Sequence, residues 1–181
     1  LRVMFEFQTM LSQLTGMDVA NASMYEGASA SAEAVLMATR IHRKGRKVLI
    51  SEGLHPEYLE TIKTYIHHLD LEIALIPLTN KGQTDLIELR KTLTQDTLCV
   101  CTQMVNFYGV VEPMSEIGVI LTEQSALNIA VLPEMSSLGV LRPPGESNVD
   151  IFVGEGQSLG LPSSYGGPNL GILACRQKYL R

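Results

Sequence analysis

Apolar positions along this chain switch repeatedly between a spacing near 3.6 and short continuous runs, from one end to the other. Phe7, Met10, Leu11 and Leu14 form one stripe of a helix predicted over residues 5–14, with Gly16 as its stop. A second helix is predicted over 27–42, rich in small residues at its start and ending in the basic run 40–47. A short strand over 47–51 follows, then a helix opening at His55-Pro56, where proline suits the first turn. Leu59, Ile62, Ile66 and Leu69 mark its buried face, and His67 and His68 near its end complement the helix dipole. The remaining pattern predicts a strand over 72–78, a helix over 84–93, a strand over 97–101, a helix over 113–123, and strands over 127–132 and 149–153. A last strand, over 169–174, is the one that can return antiparallel. Regular alternation of this kind builds a mostly parallel sheet covered by helices, an α/β fold. The proline- and glycine-containing stretch 142–148 reads as a surface loop, and neither a repeat nor an interdomain linker interrupts the chain, so residues 1–181 read as a single α/β domain.

Composition narrows the function. The 181 residues are 45% hydrophobic and only 18% charged, which fits buried strands or a piece of an assembly whose contact surfaces are apolar. A formal charge of −5 argues against a general affinity for nucleic acid, which needs a basic footprint. The longest uncharged runs, 117–121 and 126–132, are too short to span a bilayer. The chain opens at Leu1 inside an amphipathic pattern and without a secretory leader, so it reads as part of a longer cytoplasmic protein. Cys99 and Cys101 fall on the same side of a predicted strand and Cys175 lies far from both. That spacing fits small core thiols in a reducing compartment and offers no set of metal ligands.

Two places carry candidate chemistry on residue type alone. Gly27-Ala28-Ser29-Ala30-Ser31 precedes a helix, so its backbone N–H groups can cradle an anion or its small side chains can let the helix pack closely on the sheet. His55 stands between a strand and a helix, at the edge where α/β proteins bind ligands, or it caps the helix that starts at Pro56. The stretch 154–160, Gly-Glu-Gly-Gln-Ser-Leu-Gly, fails as a dinucleotide fingerprint because its third glycine is one residue late. It fails as a nucleophile elbow because no glycine stands two positions before the serine.

The wording of several segments is more specific. Thr15-Gly-Met-Asp-Val-Ala-Asn-Ala-Ser23 leading into Tyr25-Glu-Gly-Ala-Ser-Ala-Ser-Ala-Glu-Ala34, then Val140-Leu-Arg-Pro-Pro-Gly145, then 149–160 with Tyr165-Gly-Gly-Pro168, together resemble the glycine decarboxylase family, the pyridoxal-phosphate (PLP) P-protein of the glycine cleavage system. The resemblance implies the large domain of a fold-type-I PLP-dependent transferase, a mostly parallel seven-stranded sheet flanked by helices, without the N-terminal arm and C-terminal small domain. In the catalytic half of the family, the turn after the 149–153 strand carries the lysine that holds PLP. Here that position is Gln157, whose amide lone pair is delocalised and cannot form a Schiff base.

The chain is therefore similar to the α, or N-terminal, subunit of the two-subunit enzyme. The resemblance further implies that the loop at Gly27, Ala28 and Ser29 corresponds to the phosphate-holding loop, and that Glu134 stands where relatives place the acid facing the PLP ring nitrogen, more often an aspartate. Asn106 matches an asparagine near the cofactor; a solvated carboxylate and a turn cap are the plain alternatives for these two residues. With PLP held by the partner, the implied partners are a catalytic β subunit and the lipoyl-bearing H-protein, and the implied assembly is an α2β2 heterotetramer. A scaffold or regulator that kept the fold is the alternative. An independent enzyme would need Lys44, Lys47, Lys63, Lys81, Lys91 or Lys178 as its amine, and none of them falls in a strand-ending glycine-rich turn.

Overall fold

The computed structural model describes residues 1–180. Seven strands form one sheet in the order β1-β7-β6-β5-β4-β2-β3. They are β1 (Val19–Ala20), β2 (Lys47–Ser51), β3 (Glu72–Ile76), β4 (Thr97–Gln103), β5 (Leu127–Leu132), β6 (Ile151–Glu155) and β7 (Gly171–Cys175). The ladders from β3 through β6 are parallel, and β7 runs against both of its neighbours, β1 and β6. Five helices cover the faces: α1 (Arg2–Thr15), α2 (Gly27–Ile41), α3 (Pro56–Ile66), α4 (Leu86–Thr92) and α5 (Met114–Gln124).

Strand alternation divides the core in two. Leu49, Val100, Ala130 and Phe152 point to one face and pack with Leu11, Leu89, Ile117 and Leu121 from α1, α4 and α5. Their neighbours Val48, Ile50, Ile129, Val131 and Val153 point to the other face, against Ala30, Ala34, Val35 and Ala38 of α2 and Ile62 and Ile66 of α3. The central strands are buried on both faces, which is why they read as continuous apolar runs. Cys99 and Cys101 share the α2/α3 face, as the spacing predicts, and both are fully buried; Cys175 joins the same cluster.

Some expectations shift. The first helix begins earlier than predicted, and its stripe is only partly buried: Leu11 is inside, but Met10 and Leu14 are exposed. The strand predicted over 72–78 stops at Ile76, and helix α4 starts after Thr84, because Asp85 caps it by accepting from the Ile87 and Glu88 N–H groups. The strand predicted from 149 begins at Ile151. Strand β1 was not predicted; two residues carry no period. The loop 142–148 contains a 3-10 turn, Pro144–Ser147.

That loop also explains two of the quoted phrases. Gly16 ends α1 in the left-handed region at φ 66°, and Gly145 lies so close beneath it that an added Cβ would come within 1.9 Å of the Gly16 carbonyl oxygen. Arg176 fastens the pair, donating through Nε to the Val149 carbonyl at 2.9 Å and through its other nitrogens to the Gly16 and Gly145 carbonyls. No helix among the described residues is long and apolar enough to cross a membrane.

Candidate functional site

The carboxyl ends of parallel strands are where open α/β sheets place ligands. Here the turns after β2, β4, β5 and β6 and the start of α2 form that edge, and Gly27, Ala28, Ser29, His55, Asn106, Glu134 and Gln157 lie on it.

Gly27, Ala28 and Ser29 form the first turn of α2, and their N–H groups are engaged by the chain's own acids. Ala28 and Ser29 donate to the Glu26 carboxylate at 2.5 and 2.9 Å, and Gly27 donates to Glu155 Oε2 at 3.0 Å. Glu155 Oε1 also accepts from the Gln157 N–H at 3.0 Å and from the Leu170 N–H at 2.8 Å. One carboxylate thus ties the α2 start, the turn after β6 and the approach to β7. Tyr58 of α3 covers this point: a Cβ on Gly27 would come within 2.3 Å of its hydroxyl. Burial, reinforced by the charges of Glu155 and Glu26, pushes the Tyr58 phenol far above its ordinary value.

Gln157 is half-buried in a short 3-10 turn, Gln157–Leu159, and its side-chain amide donates to the Pro168 carbonyl at 3.0 Å. Its neighbour Ser158 donates to Glu134 Oε1 at 2.5 Å. Glu134, at the end of β5, is exposed and caps the 3-10 turn Met135–Gly139 by accepting from the Ser136 N–H. The Ser158 hydroxyl, followed by the Ser136 N–H, holds its carboxyl below the usual range.

His55 caps α3: its Nδ1 accepts from the Glu57 N–H at 3.2 Å, and its own N–H donates to Gln103 Oε1 at 2.8 Å. Its ring lies edge-on to Phe107 and tilted against Tyr58. Asn106 is nearly fully buried and satisfied within the chain. It donates to the Gly82 carbonyl and to Glu112, and its Oδ1 accepts from the Tyr108 and Val110 N–H groups.

Gly27, Gln157 and Glu134 are therefore joined through Glu155 and Ser158, and His55 connects to them through Tyr58. Asn106 belongs to a separate turn network with Glu112 and Thr84. Sequence reading missed Glu26, Glu155 and Tyr58. The signal for Glu26 was present: an acid directly before a run of small residues is a helix N-cap.

Tested against PLP, the edge does not fit. The N–H groups at the start of α2 are bound to carboxylates, the turn after β6 carries the Gln157 amide and no amine, and Glu134 is committed to two serines. Of the six lysines, Lys44, Lys47 and Lys178 lie at the opposite end of the sheet, and Lys63 and Lys91 pair with Glu60 and Glu88 on helix surfaces. Lys81 sits in the turn after β3. Among the described residues, no group of three or more His, Cys, Asp or Glu is placed to hold a metal ion.

Sheet order, the lone antiparallel β7 and the strand-end edge define the class: this is the fold of the PLP-dependent transferases. It superimposes on the sphingosine-1-phosphate lyase of Burkholderia pseudomallei with a TM-score of 0.78 at 15% identity, over 98% of this chain and 45% of that one. The glycine cleavage system P-protein model matches residues 1–181, and the chain belongs to that family. It is 48% identical to the "Probable glycine dehydrogenase (decarboxylating) subunit 1" of Desulforamulus reducens, over 100% of this chain and 40% of the relative. A crystal structure of glycine decarboxylase (P-protein) of the glycine cleavage system, in inhibitor-bound form, matches with a TM-score of 0.91 at 40% identity, over 99% of this chain and 40% of that one. The chain thus spans about two fifths of the length of the proteins it matches.

Proposed function

We propose that this chain is part of the α subunit of glycine dehydrogenase (decarboxylating), the half that keeps the catalytic fold without the catalytic amine. The observation that carries the reading is Gln157. It occupies the turn after β6, its amide is spent on the Pro168 carbonyl, and no lysine replaces it in that turn. Its resemblance to relatives named subunit 1 supports a second subunit as partner. In this reading the β subunit holds PLP, and the complex decarboxylates glycine in the cytoplasm and passes the aminomethyl group to the lipoyl arm of H-protein. The α subunit covers the partner and shapes the approach of that arm, and the assembly is α2β2. The chain, read as one α/β domain, supplies the large-domain body of that subunit.

The test is glycine-dependent exchange of labelled CO2 in the presence of the β subunit and H-protein, with and without the full-length protein. Exchange that needs both subunits supports the reading. Equal exchange by the β subunit alone would sink it and leave a scaffold or regulator with this fold.

A further inference from the structure

We infer that Glu26 and Glu155 are the residues that close this strand-end site to a phosphate ester, by ligating the start of α2 with the chain's own carboxylates. The inference rests on the reading above that this subunit holds no cofactor, and it assigns that property to residues other than Gln157. A helix start presents unpaired N–H donors and the positive end of the backbone dipole, which together make a seat for an anion. At α2 this seat is filled. Gly27, Ala28 and Ser29 give their N–H groups to Glu155 and Glu26 at 2.5–3.0 Å. A phosphate arriving there would have to displace both acids and then remain beside them, in half-buried surroundings where like charges repel more strongly than in water.

Among the described residues, no lysine or arginine is ion-paired with Glu26, Glu155 or Glu134. Tyr58 closes the site further, with its hydroxyl against Gly27. Glu155 also extends the effect to the turn itself, because the same carboxylate receives the Gln157 and Leu170 N–H groups. A lysine at position 157 would therefore find an amine position without an anion seat.

The test uses the full-length protein and pyridoxine 5′-phosphate, which carries the ring and the phosphate ester but no aldehyde, so that binding is read apart from imine chemistry. Affinities are measured by 31P NMR titration for the wild type, Gln157→Lys, Glu26→Gly, Glu155→Gln and the double variant Glu26→Gly with Glu155→Gln. Unphosphorylated pyridoxine is the control. Circular dichroism melts check folding; glycine is itself a tolerated N-cap, so Glu26→Gly keeps α2. The expected result is no saturable binding by the wild type or Gln157→Lys. The double variant binds saturably, at least about tenfold more tightly than the detection limit that the wild type does not reach, as removal of like charge from a helix start predicts. Glu26→Gly alone gains affinity, and pyridoxine distinguishes none of the proteins. Should the double variant fail to fold, Glu26→Gly decides the matter. Binding by Gln157→Lys as tight as that of the double variant, or no gain from opening the helix start, would overturn the inference. Binding by the wild type would instead overturn the reading of a cofactor-free subunit.

Discussion

Glu155 shows how much one side chain can hold in this fold. It follows the apolar part of β6, and its two oxygens take three backbone N–H groups, one of them from Gly27, 128 residues away in sequence. Hydrogen bonds to a charged group contribute about 1.5–3 kcal/mol each, and groups left unpaired in half-buried positions add a desolvation cost. Glu155→Ala is therefore expected to destabilise the chain by about 3 kcal/mol, read as a lower urea midpoint at unchanged slope. Gln157 was visible from the sequence because the glycine-rich wording around it is local. Glu155 was not, because its significance arises only when the fold brings α2 against the end of β6. Acid–base behaviour belongs to this scale too. The Cys99 thiol is pushed up by its hydrogen bond with Cys101 and by burial, Cys175 by burial and Asp18, and Tyr58 by burial and its two acidic neighbours. The folded chain keeps these groups neutral where the unfolded chain ionises them. Their stabilising contribution is whole below the ordinary thiol value of about 8.5 and is lost as pH rises toward the folded values. Urea midpoints should thus fall steadily above that pH, and a flat alkaline profile would contradict the burial of these thiols.

At the level of elements, the strands were the most legible part. The predicted bounds 47–51 and 127–132 coincide with β2 and β5, because both are buried on two faces and end at a clear stop, Glu52 after β2 and Pro133 after β5. Helix starts were legible at α2 and α3, predicted at 27 and 56 and found there, but the start of α4 was placed two residues early because Asp85 caps it. Strand order was not legible at all, since parallel neighbours such as β2 and β4 are joined through an intervening helix–strand excursion. The contact between the end of α1 and the loop before β6 is of the same kind. Gly16 and Gly145 belong to two quoted phrases more than a hundred residues apart, and they touch backbone to backbone. Gly145→Ala must push that contact open, because its Cβ would meet a carbonyl oxygen and not a movable side-chain tip. A cost of about 2–3 kcal/mol is expected, with earlier melting. Gly139→Ala, whose Cβ would have nothing within 4 Å, should stay within about 0.5 kcal/mol of the wild type. If the two variants melted alike, the close approach would be carrying no part of the packing.

On the scale of the whole molecule, the outer surface of α1 is out of keeping with an independent domain. Val3, Met4, Phe5 and Met10 are each at least half exposed, Phe5 at 66%, although Leu11 and Thr15 on the same helix are buried. A cluster of large apolar side chains on one helix marks a contact surface, whereas single exposed ones do not. The proteins this chain matches are about two and a half times its length, and the proposed function adds a partner subunit, so both offer a cover for that face. The sequence pattern did not show this: the stripe at Phe7, Met10, Leu11 and Leu14 has the ordinary width of one core contact, and its period alone cannot say which side meets the sheet. Charge on the exposed side separates a contact role from a folding role. Met4→Lys with Phe5→Glu should leave the melting midpoint of residues 1–181 nearly unchanged, because neither side chain is in the core. The same pair should reduce self-association of that chain in sedimentation velocity, and in the full-length protein it should weaken binding to the partner subunit. If association and partner binding were untouched, the apolar face of α1 would be solvated surface, and the contact between subunits would have to be sought on another face of the sheet.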